Sequence, residues 1–185
     1  SDAATEFLLE TPYGQLNHTQ NISLGASITE AEVEFAISSF KEKKSPGIDG
    51  LPIEFYKHFQ KQLVPVLTTL YNEIYNRGEL IHSMYRGVIS QIYKGNGPKE
   101  LRSNWRPLTM LNTDYKILTK ILVNRLKSHM SELIHPDQTC AVPGRDIRDG
   151  ILRIYNIINY AIDTDMDGIV LSVDHMSAFD IIEWQ

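Results

Sequence analysis

Hydrophobic residues recur at helical spacing through the first half of the chain, and glycine and proline interrupt them. The stretch Thr29-Glu30-Ala31-Glu32 is a capping box, which predicts an amphipathic helix over 30–42. Ser45–Gly50 then breaks the pattern with two glycines and a proline. Helical spacing resumes afterwards, and Pro65 is expected in the first turn of a further helix that ends near Gly78.

The second half of the chain mixes short β-branched runs with longer helical patterns. Residues 86–94 and 105–111 predict two extended segments. Helical spacing predicts one helix over 113–134 and another over 146–162, whose isoleucines are expected in the core. Gly168–His175 is an apolar run rich in β-branched residues and predicts a buried strand. This order of elements predicts an α+β fold.

Composition is typical of a globular protein, with 42% hydrophobic and 22% charged residues. No apolar run is long enough to span a bilayer, and the first residues lack the features of a secretory signal. The single cysteine, Cys140, excludes an internal disulfide. An intracellular protein is therefore expected. Residues 1–26 show no clear period and are predicted to be a tail or linker.

The charge is unevenly distributed along the chain. The formal net charge of -5 argues against nucleic-acid binding. Residues 86–131, however, carry nine lysines and arginines against two acidic residues, whereas 1–42 and 163–185 are acidic. A basic middle between acidic ends suits a polyanion channel beside a metal site. Solvated helix faces of different sign are an equally good explanation from charge alone.

Asp174 is the candidate for metal chemistry, because it ends the predicted buried strand. A strand end holds a carboxylate rigidly, and such a carboxylate can bind Mg²⁺ that bridges to phosphate oxygens. Capping of a following helix is the competing interpretation. Met176 stands where an aspartyl-phosphate phosphatase needs its second carboxylate, which excludes that class. No dinucleotide-binding glycine pattern, phosphate-binding loop or serine-hydrolase elbow is present.

Six segments in a fixed order carry a resemblance to a known family: Lys44–Tyr56, Ile89–Lys94, Asn104–Leu111, Asn112–Leu126, His135–Arg145 and Ser172–Asp180. Together they resemble the reverse transcriptase domain of LINE-type (non-LTR) retrotransposons. Any one segment could match by chance. Six in order over residues 29–184 are specific.

The resemblance implies an α+β fold, with mostly helical fingers and the start of the palm over 27–165, including a short antiparallel strand pair. Residues 166–185 would form the first strand of an incomplete palm. The implied function is that of a fragment of an RNA-directed DNA polymerase, which transfers deoxynucleotides to a primer 3′-OH by two-metal Mg²⁺ catalysis. The implied partners are an RNA template, a DNA primer and a dNTP, without a membrane. The nucleus and cytoplasm are the expected location.

The resemblance also implies roles for single residues around the reaction centre. Asp174 would bind both metals, and the backbone carbonyl of His175 would be a further ligand. Lys94 and Arg106 would contact the triphosphate of the incoming nucleotide, which suits a point charge and a planar fork. Phe179 would pack under the deoxyribose and exclude a 2′-hydroxyl. From the residues alone, solvated surface charges and an ordinary core aromatic are the competing interpretations.

Template contacts are implied for two loops. Gly47 and Asp49 would lie against the template backbone, with a plain helix break as the alternative. Arg145 would face the template or the nucleotide pocket. The alternative for Arg145 is pairing with Asp146 or Asp149 at the entry to the next helix.

The sequence departs from the family pattern at several places. Ser177 stands where a lysine is usual, Cys140 replaces a glycine and Ala141 an aromatic residue. The second catalytic motif, an aromatic residue followed by two aspartates, is expected beyond Gln185. Two alternatives therefore stay open: a non-catalytic RNA-binding remnant, and a pseudogene product.

We predict that the 185-residue polypeptide alone does not extend a primer, because two-metal chemistry needs carboxylates from both catalytic motifs. A primer-extension assay on the purified polypeptide measures this directly. Detectable dNTP incorporation above a no-enzyme control would contradict the prediction.

Overall fold

A computed structural model describes residues 14–174 and divides them into two units, one ending at Ile134 and the other beginning at His135. The helices of the first unit are α1 (His18–Leu24), α2 (Glu30–Ser39), α3 (Ile53–His58), α4 (Gln60–Arg77), α5 (Thr113–Lys127) and α6 (Met130–Leu133). Its strands are β1 (Gly87–Tyr93) and β2 (Trp105–Leu111), and short 3-10 turns cover His82–Tyr85 and Arg102–Asn104. The second unit contains α7 (Ile147–Asp163). None of the helices within 14–174 is long and apolar enough to cross a membrane.

The predicted α+β composition is confirmed, with a two-stranded antiparallel sheet among the helices. Gly87 pairs with Leu111 at one end of the sheet and Tyr93 with Trp105 at the other. Both strands lie within a residue of their predicted bounds. The hairpin therefore leads directly from the first helices into α5.

The core of the first unit lies where α2 packs against α4 and α5. Val33, Ala36 and Ile37 form the buried stripe of α2, at the spacing of one helix face, and all three are fully inaccessible. Tyr71 of α4 and Ile117 of α5 are equally inaccessible. Burial of these side chains contributes roughly 1.5–3 kcal/mol for each large residue. This burial provides most of the stabilisation of the helical packing.

The capping box at Thr29 forms as predicted. The Thr29 hydroxyl accepts a hydrogen bond from the Glu32 amide at 3.3 Å, and Glu32 Oε2 accepts one from the Thr29 amide at 2.9 Å. The helix ends at Ser39, before the predicted residue 42, because Phe40 turns to an extended backbone with ψ 140°.

Arg125 on α5 fastens the chain between α1 and α2. Its guanidinium donates to both oxygens of Glu32, at 2.6 and 2.8 Å. It also donates to the backbone carbonyls of Leu24 (3.0 Å), Ala26 (2.6 Å) and Ser27 (3.0 Å). These bonds use all five N–H groups of the arginine. The Arg125 side chain is only 11% exposed, so water competes weakly for them.

Part of the predicted N-terminal tail is helical, which corrects the sequence analysis for residues 18–24. Asn17 and Gln20 form a capping box that starts α1. This helix has only seven residues, too few to show a clear hydrophobic period. Gln20 Nε2 also donates to Glu132 Oε2 at 2.7 Å. This side-chain contact joins α1 to α6 across 112 positions of sequence.

Two predicted helix boundaries were wrong. The break after α3 falls at Phe59, so Pro65 lies inside α4 rather than in its first turn. The missing amide of Pro65 costs one helical hydrogen bond, and burial of Val64 and Leu67 offsets it. The helix predicted over 113–134 ends at Lys127, where the Ser128 hydroxyl donates to the carbonyl of Arg125 at 2.8 Å. Serine competes in this way with the helical pattern of backbone bonds.

In the second unit, α7 confirms the helix predicted over 146–162. Asp146 caps it by accepting a hydrogen bond from the Arg148 amide at 2.8 Å. The isoleucine stripe predicted to be core is solvent-exposed within the described chain, from 37% at Ile158 to 70% at Ile162. The prediction of a helix from this spacing was therefore correct, and the prediction that its isoleucines are buried was wrong.

The strand predicted over 168–175 does not form among the described residues 168–174. Ile169 is 95% and Val173 78% exposed. A strand needs a neighbour for its backbone groups, and no described segment pairs with this one. The boundary predicted at 165–166, before the first palm strand, stays a prediction. The rest of the predicted palm segment lies outside the described residues.

The contact with Arg125 lowers the pKa of Glu32 from its ordinary value of 4.5 to about 2. The largest cause is the hydrogen bond from Arg125, and burial opposes it. A carboxyl with a depressed pKa in the folded state stabilises that state above the ordinary pKa. The stabilisation is lost as the pH falls from about 4.5 toward 2.

We predict that Glu32→Gln lowers the free energy of unfolding by about 2 kcal/mol at neutral pH, because it removes charge-assisted hydrogen bonds to a buried guanidinium. Urea denaturation of both proteins, at neutral pH and below pH 4.5, measures the effect. The difference should shrink in acid, where the wild-type carboxyl protonates. Glu73→Gln, in the exposed pair with Arg77, is the matched control and should change stability by less than about 0.5 kcal/mol. Equal effects of both variants would contradict the assignment.

Candidate functional site

The hairpin places two predicted triphosphate-binding cations on one face. Register pairs Ile92 with Arg106, so these side chains share a face of the sheet. Alternation continues through Lys94, whose amide donates to the carbonyl of Asn104 at 2.8 Å. Lys94 therefore lies on the face of Ile92 and Arg106, at the end of the hairpin. The structure thus brings together the two cations that the sequence separates by twelve positions.

The loop between the strands is closed by side-chain bonds to its own carbonyls. Trp105 Nε1 donates to Lys99 at 2.8 Å, Asn104 Nδ2 to Pro98 at 2.7 Å, and the Tyr93 hydroxyl to Gly97. The Tyr93 and Trp105 rings lie 5.5 Å apart, centroid to centroid. These contacts give the loop a defined shape.

Lys94 takes part in the same network. Its ammonium donates to the carbonyl of Ser103 at 2.7 Å. An ammonium has three N–H donors, so further donors remain for an anionic ligand. Arg106 makes no side-chain ion pair within residues 14–174. The end of the hairpin therefore carries positive charge that no carboxylate within the described chain neutralises.

The loop that contains Gly47 and Asp49 packs against the junction of β2 and α5. Asn112 Oδ1 accepts a hydrogen bond from the Asp49 amide at 3.4 Å, and Thr113 Oγ1 donates to the carbonyl of Leu51 at 2.7 Å. The approach at Gly47 is closer still. A Cβ there would lie 2.2 Å from Asn112 Oδ1. Packing against Asn112 thus requires glycine at this position.

The acidic side chain of Asp114 has a perturbed pKa at this junction. Asp114, at the start of α5, has a pKa above its ordinary value, first because it is half-buried and then because of the negative charge on Asp49. Asp49 Oδ1 accepts a hydrogen bond from the Leu51 amide at 3.1 Å, which shapes the turn. The hydroxyl of Tyr71 donates to the carbonyl of Asp114 at 2.8 Å. The loop and α5 are therefore coupled electrostatically and sterically.

Sequence reasoning missed Asn112 as part of this arrangement. Its side chain is polar, yet the residue is only 2% exposed. Besides accepting from Asp49, it donates to the carbonyl of Ser83 at 3.4 Å. The available signal was its position between a strand and a helix, where asparagine is favoured as a cap. Its long-range partners could not be read from that position.

In the second unit, Arg145 holds its own loop. It donates to the carbonyls of His135 at 2.6 Å and Gln138 at 2.9 Å. The arginine that pairs with Asp146 is Arg148, at 2.7 Å. Of the two carboxylates considered as partners of Arg145, that of Asp146 thus pairs with Arg148.

Two residues of this loop have a left-handed backbone, Ala141 with φ 61° and Gly144 with φ 78°. The family pattern that the sequence resembles has its glycine at the position of Cys140. The conformation that favours glycine is instead one residue later. An alanine in this region costs roughly 1–2 kcal/mol relative to its preferred conformations.

Asp174 is the last described residue, and its side chain is exposed. Its carboxylate oxygens are hard donors, which fit Mg²⁺ in ligand type, but one carboxylate fills only part of a six-coordinate shell. Within residues 14–174, no three His, Cys, Asp or Glu side chains are grouped as a metal site. His175, Ser177 and Phe179 lie outside the described residues. Asp174 belongs to the second unit, and Lys94 and Arg106 to the first.

Comparison with known proteins identifies the family. A family profile described as "Reverse transcriptase (RNA-dependent DNA polymerase)" matches residues 92–185, just over half of the chain. The chain belongs to the reverse transcriptase family. The match begins in β1 and includes Lys94, Arg106, Arg145 and Asp174. The LINE-type resemblance is confirmed by relatives that are transposon proteins.

Two relatives extend the similarity of this reverse transcriptase chain toward its N-terminus. The transposon TX1 uncharacterized 149 kDa protein of Xenopus laevis is 41% identical over 162 residues, or 88% of this chain and 12% of the relative. The "Probable RNA-directed DNA polymerase from transposon BS" of Drosophila melanogaster is 28% identical over 151 residues, or 80% of this chain and 17% of the relative. The chain thus spans less than a fifth of either relative.

We predict that Gly47→Ala destabilises the reverse transcriptase chain by about 1–3 kcal/mol, because the added methyl group overlaps Asn112. Thermal and urea denaturation measure the loss. Gly25→Ala is the matched control, since a Cβ there would meet its nearest atom at an ordinary 3.4 Å and the backbone has φ -84°. A neutral Gly47→Ala variant would show that the loop is not held against Asn112.

Proposed function

We propose that this chain supplies the nucleotide-binding hairpin and one metal-binding aspartate of an RNA-directed DNA polymerase. The intact protein would transfer deoxynucleotides to a primer 3′-OH on an RNA template. The single observation that carries the proposal is the shared face of Lys94 and Arg106 at the end of the hairpin. Membership of the reverse transcriptase family gives that face its context.

The two cations differ in a way that suits a triphosphate. Arg106 offers a planar fork that can contact two phosphate oxygens at once, and Lys94 offers a compact charge. Ile92 and Leu108 share the face with them and are 49% and 48% exposed. An apolar surface beside paired cations suits a nucleotide, which is apolar at its base and anionic at its phosphates.

We also propose that the carboxylate of Asp174 and the carbonyl of His175 hold Mg²⁺. When bound, this ion would stabilise negative charge on phosphate oxygens, and a second ion would complete two-metal chemistry. Asp174 would contribute its carboxylate oxygens to the ion. Phe179 is proposed to select deoxyribose by excluding a 2′-hydroxyl.

Template contact is proposed for the loops of Gly47, Asp49 and Arg145. Glycine at position 47 allows the loop to lie on Asn112, and Arg145 holds its loop through two carbonyls. Each loop would therefore contact a nucleic-acid backbone with a conformation that its own contacts hold in place. The name of the Drosophila relative includes RNA-directed DNA polymerase activity, which supports an RNA template. Location in the nucleus and cytoplasm, and inactivity of the polypeptide alone, stay predictions.

We predict that Arg106→Gln and Lys94→Gln each weaken binding of a fluorescent dNTP by about tenfold, because each removes a charge-assisted contact with the triphosphate. Fluorescence anisotropy with the 185-residue chain in Mg²⁺ measures the dissociation constant. The same probe as a nucleoside without phosphates should bind weakly and equally to all variants.

Matched controls remove a cation of the same type elsewhere in the first unit. Arg77→Gln is the control for Arg106→Gln, and Lys61→Gln for Lys94→Gln. Both controls should bind the dNTP as the wild type does. If controls and hairpin variants weaken binding equally, only general charge is involved and the proposed site is wrong.

A further inference from the structure

Helix α5 carries a row of three lysines along one face. An α-helix advances about 100° per residue, so Lys116, Lys120 and Lys127 lie within about 40° of one another around its axis. With a rise of about 1.5 Å per residue, the row is about 16 Å long. We define this set as the lysine row. Val123 and Asn124, which border it, are uncharged.

No carboxylate of α5 lies near the row. The only acidic residue of the helix, Asp114, is more than about 100° away around the axis and is half-buried. Within the described residues, none of the three lysines forms an ion pair. Lys127 is exposed, and the other two are partly exposed.

The contrast with Arg125 on the same helix is informative. Arg125 donates all five of its N–H groups to Glu32 and to backbone carbonyls, and it is largely buried. The lysine row contributes no such bond to the fold. Three like charges held along a line repel one another slightly, so the fold itself gains nothing from their alignment. An anionic ligand, in contrast, would be attracted by all three aligned charges.

We propose that the lysine row binds the phosphodiester backbone of a nucleic-acid strand. A straight row matches a linear polyanion, which places a charge every 3.4 Å along each strand of a duplex, so about five phosphates pass along its length. Lysine is a flexible point charge and suits contacts that position a strand without reading its bases. A compact acidic site on a protein would need clustered cations instead.

The row is distinct from the hairpin face that binds a nucleotide in the proposed function. The inference rests on that function only in that it assigns a second contact to a protein that handles nucleic acid. The chain is acidic overall, so any strand must be held by a local concentration of charge. Residues 86–131, with nine basic and two acidic residues, provide such a region, and the lysine row lies within it.

Salt dependence of oligonucleotide binding tests the proposal. The 185-residue chain and the triple variant Lys116→Gln/Lys120→Gln/Lys127→Gln are titrated into labelled single-stranded RNA, and separately into DNA of the same sequence, between about 50 and 200 mM salt. Each lysine that neutralises a phosphate contributes about 0.7 to the slope of log affinity against log salt for a single strand. The triple variant should therefore lose about 2 from the slope, and about tenfold or more in affinity at the lowest salt.

A matched triple variant, Lys41→Gln/Lys61→Gln/Arg77→Gln, removes the same charge from other parts of the first unit. It should keep the wild-type slope. Loss with RNA alone, DNA alone or both supports the proposal and identifies the strand. An unchanged slope in the row variant, an equal loss in the matched variant, or no binding by the wild type would overturn it. So would equally tight binding of polyglutamate of the same charge.

Two further measurements separate the outcomes. Circular dichroism and urea denaturation of both triple variants should match the wild type, because none of the substituted side chains is buried and the surface pair of Arg77 with Glu73 contributes little. Binding of the fluorescent dNTP should be unchanged in the row variant. If the row variant weakens oligonucleotide binding while Lys94→Gln and Arg106→Gln leave dNTP binding unchanged, the proposed function alone is rejected. If the hairpin variants weaken dNTP binding while the row variant leaves oligonucleotide binding unchanged, the lysine row alone is rejected.

Discussion

One guanidinium group holds the segment between α1 and α2 to the helix that follows the hairpin. Arg125 has five N–H donors, and Glu32 and three backbone carbonyls accept all of them. Without this contact, the carbonyls that end α1 and precede α2 would lose a common donor in a partly buried place. Lysine has too few donors and the wrong geometry to replace it. This side chain therefore adds a polar connection to the packing of α2 on α5, which the buried apolar core provides.

A second set of contacts, made by Asn112 and Thr113, connects the candidate site to the helices of the first unit. These two residues directly follow β2, where Asn112 is the N-cap of α5 and Thr113 its first residue, and both bind the loop of Gly47 and Asp49 or its continuation at Leu51. The hairpin projects from this junction with both faces largely exposed. A two-stranded sheet is only marginally stable alone, so its attachment at Asn112 fixes the orientation of its cations relative to the first unit's core.

Local signals allowed several elements to be predicted from sequence. The capping box at Thr29, the two strands and α7 each follow from a short motif or a period. Helix boundaries that depend on burial or on contacts with distant residues could not be predicted. Burial of Val64 and Leu67 outweighs the helix-breaking tendency of Pro65, and Gln20 of α1 contacts Glu132 far along the chain. The apolar run before Asp174 has the composition of a strand but no described neighbour to pair with. For the site, the sequence indicated Lys94 and Arg106, and the register was needed to place them on one face.

The bond between Lys94 and the carbonyl of Ser103 has an entropic consequence for recognition. A free lysine side chain loses up to about 2 kcal/mol of rotamer freedom when a ligand immobilises it. In this hairpin, folding has already restricted that freedom, and the closed loop keeps the ammonium in place. An anion that reaches this end of the hairpin therefore meets a preorganised charge, and more of the attraction remains available as affinity.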